Sequence, residues 1–177
     1  MAEAFINAQS RAVGIVTTNT EGTVGVTTNI IAGISTVGIS SGYIVDTPNF
    51  IYGTRVDRVD VSKVYVDRDS TNTSAASDQD VKFLGLTSSY TAASKSILIG
   101  GTIANNTDDS VNIYVELHDS SSNTITAICQ KIPIPTGSSF VITDAGKTVL
   151  ETSDSLRVYC DTANGVDCTF GILKGVS

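Results

Sequence analysis

From Thr54 onward, apolar residues recur at nearly every second position. In "TRVDRVDVSKVYVDRDS" Val56, Val59, Val61, Val64 and Val66 are separated by charged or polar neighbours. Period-two alternation turns one side of a segment toward a core and the other toward water, which predicts half-buried antiparallel strands. The phase slips between Val56 and Val59 and again between Val61 and Val64, predicting a bulge or turn at each. Gly53 and the Asp46–Asn49 cluster with Pro48 punctuate the segment, and Ser70–Asp80 reads as polar loop. The same grammar resumes at Val81. "KSILIGGTIANN" and "SVNIYVELHDS" read as strands around the turn-rich "NNTDDS", and "NTITAICQKIPIP" returns through "HDSSSN" as a hairpin. "PTGSSFVITDAGKTVL" holds two turn clusters, and "DSLRVYCDTANGVDCTFGILKG" predicts a closing hairpin through Asn164–Gly165. Short strands at regular spacing predict an all-β sandwich or barrel. The one candidate helix, "MAEAFINAQS", is too short to stand by itself.

The opening tract has a different texture. Val13-Gly14-Ile15-Val16-Thr17-Thr18-Asn19 is echoed by Val24-Gly25-Val26-Thr27-Thr28-Asn29, and Val37-Gly38-Ile39-Ser40 begins a third round. Glycines weaken an isolated strand but let a neighbouring backbone approach closely. Ile30, Ile31, Ile34 and Ile39 are too apolar for a disordered linker. Two or three extended segments, stable only when paired, are expected here. No Lys or Pro guards Gly22–Ser40. An unguarded edge invites strand addition by a partner, which makes Val24, Val26, Ile30, Ile31, Ile34, Val37 and Ile39 the expected assembly contact.

Composition sharpens this. Hydrophobic residues make up 41% but aromatics only 6%, with no Trp, so the apolar mass is largely aliphatic and β-branched. Charged residues are 16%, below the usual ~25%, as expected if a neighbour covers part of the surface. Net charge is −7, and even the densest basic stretch, Arg55, Arg58, Lys63 and Arg68, is interleaved with Asp57, Asp60, Asp67 and Asp69. Counterion release on nucleic acid needs clustered cations, so nucleic acid is excluded as the expected partner. No signal-peptide pattern opens the chain and no apolar run approaches ~18 residues, so neither secretion nor a membrane span is expected. Three cysteines, Cys129, Cys160 and Cys168, fit synthesis in a cytosol as buried thiols; Cys160 and Cys168 flank the Asn164–Gly165 turn, where a bridge is the minor alternative.

Candidate chemistry is sparse. The single His, His118, precedes Asp119 and three serines, but adjacent strand residues point to opposite faces, against a catalytic triad. Asp67, Asp69 and Thr71 space oxygens like the start of a calcium loop; Asn72 stands where the sharp turn needs Gly, and Asp78 where a bidentate Glu is expected. They form a weak metal candidate, with a solvated turn the simpler reading. "IGGTIANN" lacks the helix and Lys of a phosphate cradle. No cofactor and no enzymatic activity are expected.

Two longer stretches carry a resemblance. Ser96–Gly175, with the Ala104-Asn105 turn, the "IPIPTGSS" corner (Pro133, Pro135, Gly137) and the acidic turn of "KTVLETSDSLRVYC" (Glu151, Asp154), resembles a β-sandwich module of small virion proteins of tailed phages, especially marine cyanophages. "AEAFINAQS" is similar to the start of such proteins, and "VGISSGYIVDTPNFIYGTRVDRVDVSKVYVDRDSTNT" resembles a second small β-module of phage and surface proteins. The resemblance implies an Ig-like or jelly-roll-like antiparallel β-sandwich with a second small β-module inserted near the N-terminus: residues 1–19 as the sandwich's first strand, 20–82 as the inserted Gly/Val/Thr-rich module and arm, 83–177 as the sandwich. It implies a non-enzymatic structural protein of a virion, made in the host bacterial cytoplasm, on the capsid surface or at the neck or tail. Its partners would be other virion proteins and copies of itself, with no nucleic acid and no membrane. The alternative is a virion-borne module binding a bacterial surface glycan, with Tyr43, Tyr52, Tyr65, Tyr90, Tyr114 and Tyr159 as the stock of sugar platforms.

Overall fold

The computed structural model describes residues 3–176, apart from the side chains of 88 and 143–147. Among the described residues every regular element is a strand: β1 (Ala4–Val13), β2 (Ile15–Val24), β3 (Ile30–Ala32), β4 (Ile44–Asp46), β5 (Val56–Asp60), β6 (Lys63–Val66), β7 (Ala76–Gly85), β8 (Thr87–Thr91), β9 (Ser96–Asn105), β10 (Val111–Asp119), β11 (Thr124–Ile134), β12 (Ser139–Leu150), β13 (Ser155–Cys160) and β14 (Val166–Lys174). The stretch weighed as a helix is β1, whose alternation buries Ile6 and Ala8 partly and exposes Phe5, Asn7 and Gln9. Two compact units result, Met1–Gly14 with Thr87–Ser177, and Ile15–Leu86.

The first unit is an antiparallel β-sandwich of two four-stranded sheets, ordered β1-β14-β9-β12 and β11-β10-β13-β8. Only β10 and β11 join as a hairpin; every other connection passes from one sheet to the other. That order, with the two sheets exchanging strands, is the eight-stranded double Greek key of a jelly roll rather than an immunoglobulin sandwich. The core between the sheets holds Val13, Leu98, Ile103, Ile113, Val115, Leu150, Leu156, Val158, Phe170 and Ile172. Gly101 belongs to this core by omission: a Cβ there would run into the Phe170 ring.

The closing hairpin expected at Asn164–Gly165 is corrected here. β13 pairs with β10 and β8, while β14 pairs with β1 and β9, so the turn is a corner between sheets. A turn signal specifies a local reversal of the chain and does not say which strands lie on either side of it. Cys160 and Cys168 therefore stand on facing sheets as buried thiols with no disulfide between them. The second turn cluster expected in "PTGSSFVITDAGKTVL" is also corrected: the chain does not reverse there but stays in β12, whose pairing with β9 slips between Thr143 and Thr148 as a bulge that takes up the extra residues.

The corners explain the motifs that carried the resemblance. Buried Asn105 donates through Nδ2 to the carbonyls of Asp109 (2.7 Å) and Ile134 (2.9 Å), and its Oδ1 accepts from the Thr107 N–H and hydroxyl, both at 2.8 Å. In "IPTGSS" Gly137 takes φ 65° and the Ser138 N–H and hydroxyl both donate to the Pro135 carbonyl. Buried Asp154 accepts from the Ser120 N–H and the Glu151 N–H, both at 2.9 Å. Asn105→Ala removes all four of these bonds from the corner, while the Thr107 and Ser110 hydroxyls still reach the Asp109 and Ile134 carbonyls; a loss of about 1–2 kcal/mol is expected in chemical denaturation.

The second unit is a six-stranded sheet, ordered β4-β7-β2-β3-β6-β5. Its end strands are tied to each other: the Val45 N–H donates to the Thr54 carbonyl (2.8 Å), the Val56 N–H to Tyr43 (2.9 Å) and the Gly42 N–H to Val56 (2.8 Å), around a bridge between Ile44 and Arg55. The sheet thus closes into a small barrel and hides its edges. Val24, Ile31, Ile34, Ile39, Val45, Phe50, Val56, Val64, Val66, Val81 and Phe83 fill it. The two phase slips in the valine ladder are a register shift between Val56 and Arg58 and the reversal between β5 and β6. Part of the expected polar loop, Ala76–Asp80, pairs as the start of β7. Ile15–Asn19, expected in the sandwich's first strand, pairs with Val81–Gly85, so that segment and Phe83–Leu86, expected in the sandwich, both belong to the barrel. The break falls at Gly14, whose φ of 135° ends β1 and whose carbonyl accepts from the Asn164 N–H at 3.0 Å.

Candidate functional site

The residues expected to form an assembly contact divide into two sets. Val24, Ile31, Ile34 and Ile39 are barrel core, with at most 7% exposure, and cannot meet a partner. The open edge expected for this tract is closed instead: β2 lies between β7 and β3, and β3 between β2 and β6. The unguarded composition of Gly22–Ser40 reflects pairing within the chain, which protects an edge as well as a partner would. Ile30 is half-buried, Val26 is 50% exposed and Val37 83%. The Thr36 hydroxyl donates to the Val61 carbonyl at 3.4 Å, and Val61, in the β5–β6 turn, is 90% exposed. Two bare valines therefore share one end of the barrel.

His118 lies at the end of β10 with Nε2 3.2 Å from the Asn123 Oδ1, in register with Ser155 and Ile125. Asp119 is occupied by its own turn: its Oδ1 accepts from the Ser121 N–H and hydroxyl, each at 2.8 Å, and from the Ser122 N–H at 3.1 Å. The Ser121 hydroxyl, followed by the Ser122 N–H, holds this carboxyl down to about 2. Because the folded value lies below the ordinary 3.8, the support that Asp119 gives the β10–β11 hairpin is complete above about pH 4 and lost as pH falls through about 2. Carboxyl NMR of the folded chain should show a midpoint near 2 for Asp119, and Asp119→Asn should remove the acid-sensitive step. A midpoint near the ordinary value would show that the serine donors do not bind the carboxylate in solution.

Of Asp67, Asp69 and Thr71, the first and last are engaged with different parts of the backbone. The Asp67 Oδ1 accepts the Arg55 N–H at 2.8 Å, tying the loop after β6 to the start of β5. The Thr71 hydroxyl donates to the Asn49 carbonyl, and Asp69 is exposed. Among the described residues no group of three His, Cys, Asp or Glu could hold an ion. Burial pushes the Cys129 thiol up to about 11 and raises Cys168, whose sulfur lies 3.6 Å from the Ser89 hydroxyl.

Of the tyrosines, Tyr90, Tyr114 and Tyr159 are buried and offer no platform. Tyr65 carries the Arg58 guanidinium 3.5 Å over its ring. Tyr52 is 54% exposed, and it lines a shallow recess with Pro48, Phe50, Ile51 and Thr71. No helix among the described residues is long and apolar enough to cross a membrane.

The sequence pattern did not mark the outer face of the sheet β1-β14-β9-β12. Phe5 stands opposite Leu173, Leu173 opposite Ile97 and Ile97 opposite Val149, so one apolar row crosses all four strands. Phe5 is 77% and Val149 44% exposed. Each member occupies the alternate position that a strand turns outward, so the signal exists in the chain but becomes a row only when the pairing is known. No protein-family model, curated protein or solved structure matches this chain.

Proposed function

We propose that the chain is a non-enzymatic structural protein of a tailed-phage virion, assembling on the capsid surface as decoration or cement, or at the neck or tail, and stabilising the particle through β-rich protein–protein contacts. The observation that carries this reading is where the polar side chains are used. Asn105, Asp119, Asp154 and Asp161 cap turns and corners, while aliphatic side chains such as Val37, Val61, Ile99 and Val141 stand in solvent on strands, turns and loops. Such a surface offers area for binding folded partners, which are then stabilised by mass action. Jelly rolls recur in viral capsid and lectin domains; a shared fold does not set function, and the resemblance of Ser96–Gly175 to virion modules supplies the rest.

Mass spectrometry of purified particles tests the reading. The chain should be a stoichiometric component, and its absence from particles would end the proposal. Removing residues 13–40, the apparent arm, would take β2 and β3 out of the barrel and confuse misfolding with lost contact. Val37→Asp with Val61→Asp is the cleaner variant, since both side chains are already exposed. It should leave the barrel folded and lower incorporation into particles.

One observation favours a second reading, attachment to a bacterial surface glycan. Tyr52 and the apolar recess around it have the shape of a small sugar platform. A glycan array should then give binding that Tyr52→Ala abolishes; Tyr52-independent binding, or none, dismisses it.

A further inference from the structure

The face of the sheet β1-β14-β9-β12 that looks away from the sandwich core carries a projection and a recess. The projection is Phe5, near the start of edge strand β1, with three-quarters of its surface in solvent. The recess is a shallow depression of about 450 Å³ around Gly100 and Gly171, walled by Ile99, Thr102, Val141 and Thr169. It exists because Gly171 pairs with Gly100 across the strands, so two neighbouring outward positions lack side chains. Ile99, 48% exposed at the register shift in β9, and Val141, 50% exposed, form its apolar sides. Beside it runs the row Phe5–Leu173–Ile97–Val149.

Charge singles out this face. The chain carries a net −7, so two copies repel across any surface studded with acids. Among the described outward positions of these strands the charged side chains are Arg11 and Asp167, and they face each other at 3.6 Å at one end of the sheet. The rest of the described outward positions are Phe5, Asn7, Gln9, Thr102, Ser139, Thr169 and aliphatic or glycine surface. Four strands about 4.8 Å apart and about 33 Å long give a face of roughly 600 Å² before side-chain relief, close to the roughly 800 Å² per partner of a standard protein interface.

We propose that this face is where the chain associates with a second copy of itself, Phe5 of each copy seated in the Gly100–Gly171 recess of the other. A knob and a hole on one face can always be brought together reciprocally by a single two-fold axis lying in the contact plane midway between them, the self-complementary geometry of an isologous dimer. A different protein would have to bring both a ring for the recess and a hole for Phe5; a second copy supplies both at once. Phe5 is then the aromatic anchor and the Leu173–Ile97–Val149 row the apolar surround that excludes water. This surface is separate from the Val37–Val61 end of the barrel, and the inference stands on sheet geometry whether or not the chain serves in a virion.

The test is sedimentation equilibrium of the full chain from micromolar concentrations upward. The unaltered chain should show reversible self-association. Phe5→Ser removes the knob from an exposed position. Gly171→Lys fills the hole, and the fold tolerates it: a Cβ at 171 meets nothing closer than the Gly100 carbonyl oxygen at 3.8 Å. Each should keep the circular dichroism of the parent and weaken association at least about tenfold, as expected for losing one packed aromatic anchor. Val61→Ser, in the other unit, should leave it unchanged. A chain that sediments as a monomer at every concentration overturns the proposal, and so does association that survives either Phe5→Ser or Gly171→Lys. A monomeric chain still recovered from purified particles would end this inference and leave the virion reading standing.

Discussion

Phe83→Ala is expected to remove about 3–5 kcal/mol from the barrel of residues 15–86, the usual cost of deleting a buried phenylalanine whose site cannot collapse around the void. Phe83 sits in β7 with no exposure, in register with Thr17 on one side and Val45 on the other, and packs with Val24, Ile31, Val64 and Val81. No other phenylalanine except Phe50 lines that core; the remainder is mainly valine and isoleucine, whose branched side chains are stiff and adjust poorly to a cavity. A unit of roughly 70 residues has a total stability of about 4–10 kcal/mol, so the substitution removes a large share of it. Amide hydrogen exchange in β2 and β7 measures the effect, since those amides report opening of the barrel. Protection should fall about a hundredfold or more; a fall under about tenfold would mean that the core closes over the gap and is looser than its burial implies.

Gly101→Ala should be nearly as damaging to the jelly roll, for the opposite reason. Gly101 pairs with Phe170, and both turn toward the core, so an added Cβ would overlap the Phe170 ring and come within 3.0 Å of the Thr169 carbonyl oxygen. The ring is fully buried between the sheets and has no free space to rotate into. Overpacking of this kind costs about 3 kcal/mol, read as a lower denaturation midpoint at unchanged slope. Phe170→Leu, which shortens the side chain at the point of overlap, should rescue part of the loss. The double variant should be more stable than the sum of the single effects by about 1–2 kcal/mol. Strict additivity would show that the two positions do not touch as described.

How much of this was legible in the chain depends on the range of the forces involved. The valine ladder of Val56–Val66 declared strands interrupted at two points, because alternation is imposed by the immediate neighbours of each residue; that one interruption is a shift and the other a reversal came from the pairing. Asn105, Gly137 and Asp154 stood out as turn residues because a cap is a bond between residues only a few positions apart, as in Asn105 with Thr107 and Asp154 with Glu151. Asn164–Gly165 was equally visible as a reversal. That it turns between sheets was not, because β13 and β14 take partners from β10 and β1, far along the chain.

The opening tract shows the same limit more sharply. Its composition calls for pairing, and it is paired; nothing within Gly22–Ser40 says that the partners are β6 and β7 of the same molecule or that the sheet closes. Ile31 and Val37 look alike as apolar residues of one ribbon, yet one is barrel core and the other is 83% exposed at its end.

By itself, then, the sequence determined the all-β class, the position of most strands and the chemistry of the turns, since each of these follows from contacts between residues close in the chain. Tertiary structure alone decided the rest: the jelly-roll order, the closed barrel and the apolar row with its recess on one outer face. Those features come from strand pairing over long sequence separations, where many registers satisfy the same alternation and only the simultaneous packing of both faces selects one.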